Sequence, residues 1–298
     1  MRQVFQWQLG SRSLELGRRT LVMGIVNVTP DSFSDGGQFF DRNLAVEHGL
    51  RLMEDGADIL DVGGESTRPG AGVQGSERKP SVSAGDELAR VVPVIEELKR
   101  RRPESVISVD TYKAAVATKA VQGGAEIVND VSGFLWDQEM AATCAGLSCG
   151  VVLMHMRGLP ETWRSLPRLD DPIGLVQREL KERADAAVAA GVVRERIVID
   201  PGFGFGKNYE ENYPLLSGMD ELAGLGLPIM AGTSRKSFVG RAMGSDAPPS
   251  ERLHGSLAAM ALSIVKGAHI VRVHDVKQSV EAARVVDAIL QNELAASK

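Results

Sequence analysis

The chain has 298 residues, of which 43% are apolar and 24% charged, a composition that excludes an intrinsically disordered protein. It carries 34 Lys and Arg against 39 Asp and Glu, so its formal charge is −5. That balance excludes the basic surface on which general nucleic-acid binding depends, and we expect small-molecule partners and no nucleic acid.

Eight short β-branched runs alternate with amphipathic stretches along most of the chain. The runs are Leu21–Asn27, Ile59–Val62, Val106–Asp110, Ile127–Asp130, Val151–His155, Ile197–Asp200, Ile229–Gly232 and Ile270–Val273. Between them apolar residues recur with a period near 3.6, as in Leu253, Leu257 and Met260. Alternating strand and helix units imply parallel strands joined by right-handed crossovers. The pattern therefore predicts an α/β fold, a closed (β/α)₈ TIM barrel.

The segment before the first of these runs has a different pattern. Val4–Leu16, with a turn at Gly10–Ser11, predicts an N-terminal β-hairpin that closes the floor of the barrel. A doubly wound sheet is the alternative architecture, but the early GxGxxG motif of that fold is absent. No linker or low-complexity tract interrupts the chain, so we expect a single domain. We expect the hairpin over residues 1–20, the catalytic barrel over 21–290 and a C-terminal tail over 291–298.

Cysteine usage and hydropathy point to one cellular compartment. The two cysteines, Cys144 and Cys149, are too few for a disulfide framework. The first residues contain no apolar signal-peptide core. The longest nearly apolar run, Leu257–Val265, is about half of the ~20 residues that span a bilayer. We therefore expect a cytoplasmic protein with no membrane partner.

Polar residues follow every predicted strand. They are Asn27, Asp61, Asp110, Asn129, His155, Asp200, Ser234 with Lys236, and Arg272 with His274. The carboxyl ends of the strands of a barrel meet at one mouth, where the active sites of barrel enzymes lie. Any single Asp or Asn could serve only as a cap of the following helix. Lys236, Arg272 and His274 cannot serve as such caps, so the pattern predicts an active site at the mouth.

Long polar loops leave the first two strands. The first reads NVTPDSFSDGG over Asn27–Gly37 and carries Asp31 and Asp35, and the second reads DVGGESTRPG over Asp61–Gly70 and carries Arg68. Both could be solvated surface loops. Their glycines also let the backbone approach a ligand closely, which favours a place beside the site.

The middle strands supply groups suited to a ring-shaped ligand. Asp110 and Asn129 should lie side by side, a carboxylate and an amide that suit the edge of a polar heterocycle. The later segment Asp200–Lys207 reads DPGFGFGK but fails the phosphate-loop pattern GxxxxGK[ST], so we reject a nucleoside-triphosphate site. We interpret it as a rigid platform in which Phe203 and Phe205 hold an aromatic ring.

The last two strands supply positive charge. Lys236 and Ser237 stand at the start of a helix, where free backbone N–H groups can receive an anion. Arg272 and His274 alternate with apolar neighbours and should point to the interior, where with Arg68 they would form a clamp for a small anion. An ion pair of Arg272 within the barrel is the alternative.

The remaining histidines and the absence of two motif classes limit the types of reaction that the site could catalyse. We interpret His48, His254 and His269 as structural, and His155 is ambiguous. The sequence contains no metal-site spacing of the HExxH or Cys-pair type and no GxSxG nucleophile elbow. The site therefore indicates binding of a polar heterocycle and a phosphate without a covalent intermediate.

Eight motifs in this order resemble those of the dihydropteroate synthase family. They read NVTPDSFSDGG, DVGGESTRPGA, SVDTYK, IVNDVSG, LMHMRG, DPGFGFGKN, SRKSF and IVRVHDV, and the resemblance covers about Leu21 to Leu290. It implies a (β/α)₈ barrel enzyme of folate biosynthesis, usually a homodimer and the target of sulfonamides. Such an enzyme is a transferase that joins 6-hydroxymethyl-7,8-dihydropterin diphosphate to p-aminobenzoate with Mg²⁺, giving 7,8-dihydropteroate and pyrophosphate.

The resemblance also implies a role for each matched residue. The pterin would be bound by Asp110, Asn129, Asp200 and Lys236. The diphosphate would be bound by Asn27, Arg68, Arg272 and His274, with Mg²⁺ on Asn27. p-Aminobenzoate would be framed by Thr67, Arg68, Pro69, Phe205, Lys236 and Ser237. The catalytic roles would belong to Asp110, Lys236, Arg272 and His274.

The mechanism implied is dissociative: the diphosphate leaves first, and the ring and Asp110 stabilise the pterin-methyl cation that the arylamine then attacks. One segment departs from the expected pattern, because Gly72–Ala84 is several residues longer than we expect. Two rivals remain open. One is a methyltetrahydrofolate:corrinoid methyltransferase, which would lack STRPG and SRKS, and the other is a silent paralogue that binds without turnover.

Overall fold

The computed structural model describes residues 2–28, 38–67, 72–73, 82–244 and 247–296, without the side chains of residues 38–41 and 293–296. Two antiparallel strands come first, β1 (Phe5–Leu9) and β2 (Arg12–Leu16). They are joined through Gly10, whose φ of +58° is in the left-handed region that suits glycine in a tight turn. The predicted hairpin is therefore present.

Eight parallel strands then alternate with helices. The strands are β3 (Leu21–Asn27), β4 (Ile59–Gly63), β5 (Val106–Asp110), β6 (Ile127–Asp130), β7 (Gly150–Met154), β8 (Ile197–Asp200), β9 (Met230–Ala231) and β10 (Ile270–Val273). The helices are α1 (Gln38–Glu54), α2 (Ala84–Arg101), α3 (Ala114–Gln122), α4 (Met140–Leu147), α5 (Pro172–Ala189), α6 (Asn212–Ser217), α7 (Ser237–Ala242), α8 (Leu253–Val265) and α9 (Val276–Ala296).

The eight strands close into a barrel. Their order is β8-β7-β6-β5-β4-β3-β10-β9, all parallel. The two ends of this order meet where Ile199 of β8 forms a parallel bridge with Ile229 and donates its N–H to the Pro228 carbonyl at 3.0 Å. The (β/α)₈ prediction is confirmed. Only β9 is shorter than the predicted run.

The hairpin packs against the amino-terminal ends of these strands. Trp7 is fully buried and donates its indole N–H to the Arg196 carbonyl at 2.8 Å. A Cβ on Gly150 would collide with Leu9 and lie 3.2 Å from the Trp7 ring, so a side chain there would displace the hairpin. The hairpin and the lowest inward-facing residues of the strands form one apolar cluster, which fills the barrel floor.

The last helix reaches beyond the expected end of the barrel. Helix α9 continues to Ala296, so it runs through the boundary predicted at residue 290, and the division into domains stays a prediction. Within the part of the chain that the structure describes, no helix is both long and apolar enough to cross a bilayer.

Candidate functional site

In four strands a polar residue stands two positions after an apolar residue of the floor. Along a strand, residues i and i+2 face the same side. The floor cluster contains Ile59, Ile127, Val198 and Ile270. Two positions later in the same strands stand Asp61, Asn129, Asp200 and Arg272. The polar set therefore forms the layer directly above the apolar floor, on the inside of the barrel.

Arg272 joins three strands through its guanidinium. Its Nε donates to Asp61 Oδ2 at 2.6 Å, and its Nη2 donates to Asp110 Oδ2 at 2.7 Å. Asp61 Oδ2 also accepts from Asn129 Nδ2 at 3.0 Å, which leaves the Asn129 amide oxygen free to face a ligand. The ion pair that we considered as an alternative for Arg272 is thus formed, and it does not exclude contact between the remaining guanidinium nitrogen and an anion.

Burial of this network shifts the ionisation of its members. Burial raises the pKa of Asp110 to about 7, although Arg272 opposes the shift and Asp61 adds to it. Burial alone would lower the pKa of Arg272, but Asp61 and Asp110 more than offset that effect and the pKa lies above its usual value. Arg272 is therefore a permanent cation, while Asp110 changes charge near neutral pH.

Asp200 and Lys236 form the opposite side of the pocket. Asp200 Oδ1 accepts from the Gly202 N–H at 2.7 Å, which leaves the other oxygen available. Burial raises the pKa of Asp200, while the Gly202 N–H, Lys236 and Arg272 lower it. Burial, together with the charge of Arg272, lowers the pKa of Lys236 to about 8. The Lys236 Nζ lies 4.0 Å from the centre of the Phe205 ring, a cation–π contact that keeps the ammonium over this ring.

A strained residue places Lys236. Arg235 has a φ of +58°, unusual for a residue with a side chain. Its guanidinium makes two bonds to Asp275, at 2.6 and 3.0 Å, and its N–H donates to Ser256 Oγ at 2.9 Å. These contacts hold the turn through which Lys236 enters the mouth.

His274 is neutral at physiological pH. Burial and the nearby charges of Arg272 and Arg235 lower its pKa to about 3. Ser234 Oγ accepts the His274 backbone N–H at 3.2 Å and lies 3.1 Å from Nδ1, so its hydroxyl can donate to that nitrogen. In that tautomer Nε2 carries the proton, and His274 offers a neutral hydrogen-bond donor.

The stem of the second loop is held by a buried ion cluster. Lys113 Nζ lies 2.5 Å from Glu65 Oε2 and 2.5 Å from Glu87 Oε2. The other oxygen of Glu65 accepts the Val82 N–H at 3.0 Å, so one carboxylate ties both described ends of this loop together. Thr67 lies two residues beyond Glu65 and is half-buried.

Apolar side chains form one wall of the mouth. Val131, Met154 and Met156 cluster with the half-buried Trp136 and Phe205. The predicted platform is wrong for Phe203 and stays a prediction for Phe205. Phe203 is buried in the outer core, its ring tilted against Phe238 at 6.0 Å, because Gly204, between Phe203 and Phe205, has a φ of +80° and turns the chain.

Several predicted residues are not joined to this cluster by a contact. Asn27 ends β3 beside Gly63, and Ser237 is exposed at the start of α7. Arg68, Pro69 and residues 29–37, including Asp31 and Asp35, lie outside the described residues, as do residues 74–81 of the long segment.

The histidines expected to be structural lie away from the mouth. His48 and His254 are on α1 and α8, and His269 accepts the Ile229 N–H at 3.1 Å. His155, whose role was ambiguous, is fully buried and lies 3.1 Å from Glu179 of α5, outside the barrel wall. Burial and the charge of Lys207 lower its pKa to about 3, so it is a neutral core residue.

Asp61 is the main residue of the site that the sequence analysis left without a role. It is completely buried, and its Oδ1 has no hydrogen-bond partner among the described residues. The two-residue step from an apolar floor residue to a polar one, which places Asn129, Asp200 and Arg272, also places Asp61. That signal was available in the sequence.

The amide of Asn27 fits a metal ion that a substrate also ligates. Its side chain has no hydrogen-bond partner in the described part of the chain, and no group of three His, Cys, Asp or Glu suited to a metal occurs there. Mg²⁺ commonly takes one or two protein oxygens and completes its shell with phosphates and water. The donor set therefore suits Mg²⁺ bound together with a diphosphate.

Comparison with known proteins agrees with this geometry. A family model described as "Pterin binding enzyme" matches residues 23–274. A dihydropteroate synthase of Bacillus subtilis (strain 168) is 45% identical over 278 residues, which cover 93% of this chain and 91% of the relative.

Solved structures show the same likeness. A dihydropteroate synthase of Xanthomonas albilineans with 4-aminobenzoic acid superposes with a TM-score of 0.87 at 44% identity, covering 97% of this chain and 99% of the other. A Yersinia pestis dihydropteroate synthase with a sulfonamide drug complex gives 0.87 at 41% identity, covering 97% and 100%. From this barrel, its mouth and these relatives we conclude that the chain belongs to the dihydropteroate synthase family, whose members are transferase enzymes.

Proposed function

We propose that this enzyme condenses 6-hydroxymethyl-7,8-dihydropterin diphosphate with p-aminobenzoate, giving 7,8-dihydropteroate and pyrophosphate by a dissociative mechanism. The observation that carries the proposal is the buried layer in which Asn129 and Asp200 face the same space as the cations Lys236 and Arg272. Such a layer offers acceptors and donors to a heterocycle and positive charge to an anion.

The pterin ring would bind deepest. The Asp200 carboxylate would accept from the ring 2-amino group and N3–H, one donor on each oxygen, since Oδ1 can accept a second bond beside that from the Gly202 N–H. The free oxygen of Asn129 would accept from the same edge, and Lys236 would donate to the ring carbonyl. Met154 and Phe205 would cover the faces of the ring.

The leaving diphosphate would meet the cations of the mouth. As the bond between the methylene carbon and oxygen breaks, its electron pair goes to the diphosphate. Arg272 and the Nε2–H of His274 would stabilise that growing charge. Arg68 would add to them. When bound, Mg²⁺ on Asn27 would neutralise part of the diphosphate charge.

The cation left on the pterin methylene would be stabilised by the ring and by the Asp110 carboxylate. The arylamine of p-aminobenzoate then forms the new carbon–nitrogen bond and loses one proton to water. The aminobenzoate would be framed by Thr67, Arg68, Pro69, Phe205, Lys236 and Ser237. That p-aminobenzoate is the second substrate is supported by the likeness to a Xanthomonas albilineans enzyme solved with 4-aminobenzoic acid. A Yersinia pestis relative is solved with a sulfonamide drug complex, which supports sulfonamides as ligands of this enzyme.

The first test is a turnover assay that follows both products. Purified protein with the dihydropterin diphosphate, p-aminobenzoate and Mg²⁺ should release pyrophosphate and dihydropteroate in equal amounts. Binding of pterin with neither product would favour the silent paralogue. The corrinoid methyltransferase is disfavoured, since the curated relative is a dihydropteroate synthase.

The dissociative step has its own test. Substrate carrying ¹⁸O in the bridge between methylene and phosphorus should scramble the label into non-bridging positions when a benzoate lacking the amine replaces p-aminobenzoate. Label that stays in the bridge would indicate direct displacement.

We also propose that the enzyme is a cytoplasmic homodimer. Leu262 and Val265 on α8 and Val285 and Ile289 on α9 are exposed, although α8 and α9 pack side by side. The exposed fractions of Val265 and Val285 are 55% and 61%. Exposed apolar side chains clustered on two neighbouring helices favour a partner surface, and a second copy is the partner we propose.

A further inference from the structure

Lys207, the lysine of the motif that fails as a phosphate loop, lies in a cage of backbone carbonyls. Its Nζ donates to the carbonyls of Gly202 at 2.8 Å, Phe205 at 3.2 Å and His155 at 3.3 Å. The side chain is buried, and no carboxylate pairs with it in the described residues. We infer that Lys207 is a positioning residue for both substrates, because its ammonium holds the backbone carbonyls of the residue that binds Asp200 and of Phe205 itself.

The number of acceptors indicates the protonation state. Three carbonyls accept from one nitrogen, and only the ammonium form of lysine has three N–H donors. Burial lowers the pKa of Lys207 well below its usual value, and Arg183, Lys236 and Arg157 add to that effect while Asp200 opposes it. Loss of the proton would leave one of the three carbonyls without a donor in a buried place, which is unfavourable.

The cage joins two neighbouring loops of the mouth. His155 follows β7, whereas Gly202 and Phe205 follow β8. A Cβ on Gly202 would collide with the His155 carbonyl, so the two loops touch along their backbones where no side chain fits. A second tie lies beside the first, since Arg157 Nη1 donates to the Gly206 carbonyl at 3.2 Å. Lys207 is the buried centre of this junction.

Two consequences for the site follow from the carbonyls that Lys207 holds. Gly202 offers its carbonyl to Lys207 and donates its N–H, which lies in the adjacent peptide group, to Asp200. The lysine therefore holds the residue that orients the carboxylate proposed to bind the pterin. The Phe205 residue, bound through its carbonyl, carries the ring beneath Lys236 and packs edge-on to Trp163 at 5.3 Å. One ammonium thus supports the proposed pterin and aminobenzoate positions.

The charge of Lys207 also acts on Asp200. Lys236, Arg272 and Lys207 are the cations that lower the pKa of this carboxyl against the effect of its burial. Removing the Lys207 charge should therefore raise the pKa of Asp200. Because Lys207 touches neither pterin nor aminobenzoate in this arrangement, a loss of binding in its variants would be transmitted through Asp200 and Phe205.

The test measures Asp200 directly. Protein labelled with ¹³C at the aspartate carboxyls is titrated by NMR without ligand, and the Asp200 signal is identified by its loss in Asp200→Asn. In Lys207→Met the Asp200 pKa should rise, the effect of losing an opposite charge that lowers it. Lys207→Arg, which keeps the charge, should leave the Asp200 pKa close to that of the wild type. An unchanged Asp200 pKa in Lys207→Met overturns the inference.

A matched control separates this role from general stability. Lys99 of α2 donates to the carbonyls of Pro103 and Ser105 at 3.0 and 2.7 Å and pairs with Glu126 at 3.1 Å, beside the N-terminal hairpin and away from the mouth. Lys99→Met should therefore lower stability while the Asp200 pKa and pterin affinity stay as in the wild type. Equal shifts in both variants, or loss of the folded state in both Lys207→Met and Lys207→Ala, would assign Lys207 to stability alone and overturn the positioning role.

Measurements of pterin binding then test the effect of Lys207 on the site. This part of the test rests on the proposed function. In Lys207→Met the pH at which half of the affinity for 6-hydroxymethylpterin is lost should rise with the Asp200 pKa, and added propylammonium should restore affinity to Lys207→Ala. A wild type that does not bind this pterin would refute the proposed function, whereas the ligand-free titration would still decide the role of Lys207.

Discussion

Replacing Asp61 by asparagine removes the carboxylate that holds Arg272 and Asn129 within the polar layer. Asp61 Oδ2 accepts from Arg272 Nε at 2.6 Å and from Asn129 Nδ2 at 3.0 Å, and both atoms can still bond to the amide oxygen of asparagine. What disappears is the charge. The ion pair becomes a hydrogen bond from the Arg272 cation to a neutral amide, so the contact should lose part of the about 1.5–3 kcal/mol of a charged hydrogen bond, about 1–2 kcal/mol.

The loss is limited because Arg272 keeps Asp110 at 2.7 Å. If Arg272 stabilises the leaving diphosphate, its poorer placement should lower kcat/KM at the pH optimum about 5- to 30-fold, the equivalent of about 1–2 kcal/mol. The same change should shift the pH profile. Burial raises the pKa of Asp110 to about 7, and the negative charge of Asp61 contributes to that rise. Removal of Asp61 should therefore lower the pKa of Asp110.

The sign of the shift follows from the role proposed for Asp110. Only the ionised carboxylate stabilises a cation, so kcat/KM of the wild type should fall as the pH drops through about 7. In Asp61→Asn the fall should begin at a lower pH, although the maximum is reduced. Profiles of kcat/KM from pH 5 to 9 measure both effects.

A second buried carboxylate serves as the control. Asp287 accepts from the Thr20 N–H at 2.7 Å and its hydroxyl at 2.9 Å, near the amino-terminal end of β3. Asp287→Asn should lower stability and leave the acidic side of the profile in place. The reasoning is wrong if Asp61→Asn loses activity at the same or a higher pH than the wild type.

Four further outcomes test the remaining assignments. Asp200→Asn should weaken pterin binding by about 1–3 kcal/mol in calorimetry, and unchanged affinity would remove Asp200 from the pocket. Arg272→Ala should lower turnover more than affinity for a pterin without diphosphate, whereas equal losses would make Arg272 structural. Calorimetry of p-aminobenzoate should show tight binding only after the pterin diphosphate has bound, and tight binding to the free enzyme would contradict this. Val285→Glu should shift the sedimentation of the protein from dimer to monomer, while an unchanged dimer would place the interface elsewhere.

The strands and the polar set of the mouth could be predicted because both depend on local patterns. β-Branched runs give the strands, and the two-residue step gives the side that each polar residue faces. The partners of those residues could not be predicted, since Asp61 and Arg272 meet across 211 positions of the chain. Spacing along one strand carries no information about such a pair.

Glycine conformation explains the prediction that failed. Phe203 and Phe205 have the two-residue spacing of neighbours on one face, and we placed both at the mouth. The positive φ of Gly204 breaks that alternation and sends Phe203 into the outer core. The cage around Lys207 could not be predicted for a related reason. Its carbonyls come from two loops, and every residue has a backbone carbonyl, so the residue types do not show which carbonyls meet.

Trp7 and Leu9 of the hairpin close the barrel at the amino-terminal ends of its strands, so the interior is open at the mouth and closed at the floor. A ligand against Asn129 and Asp200, one layer above that floor, lies deeper than one against the half-buried Phe205 or the exposed Ser237. As far as the described residues define the mouth, a ligand at the upper level therefore lies across the exit of the lower one. If the pterin binds at the lower level as proposed, an inhibitor above it would retain the pterin as well as exclude its partner, so its potency should grow with the fraction of enzyme that already holds the pterin.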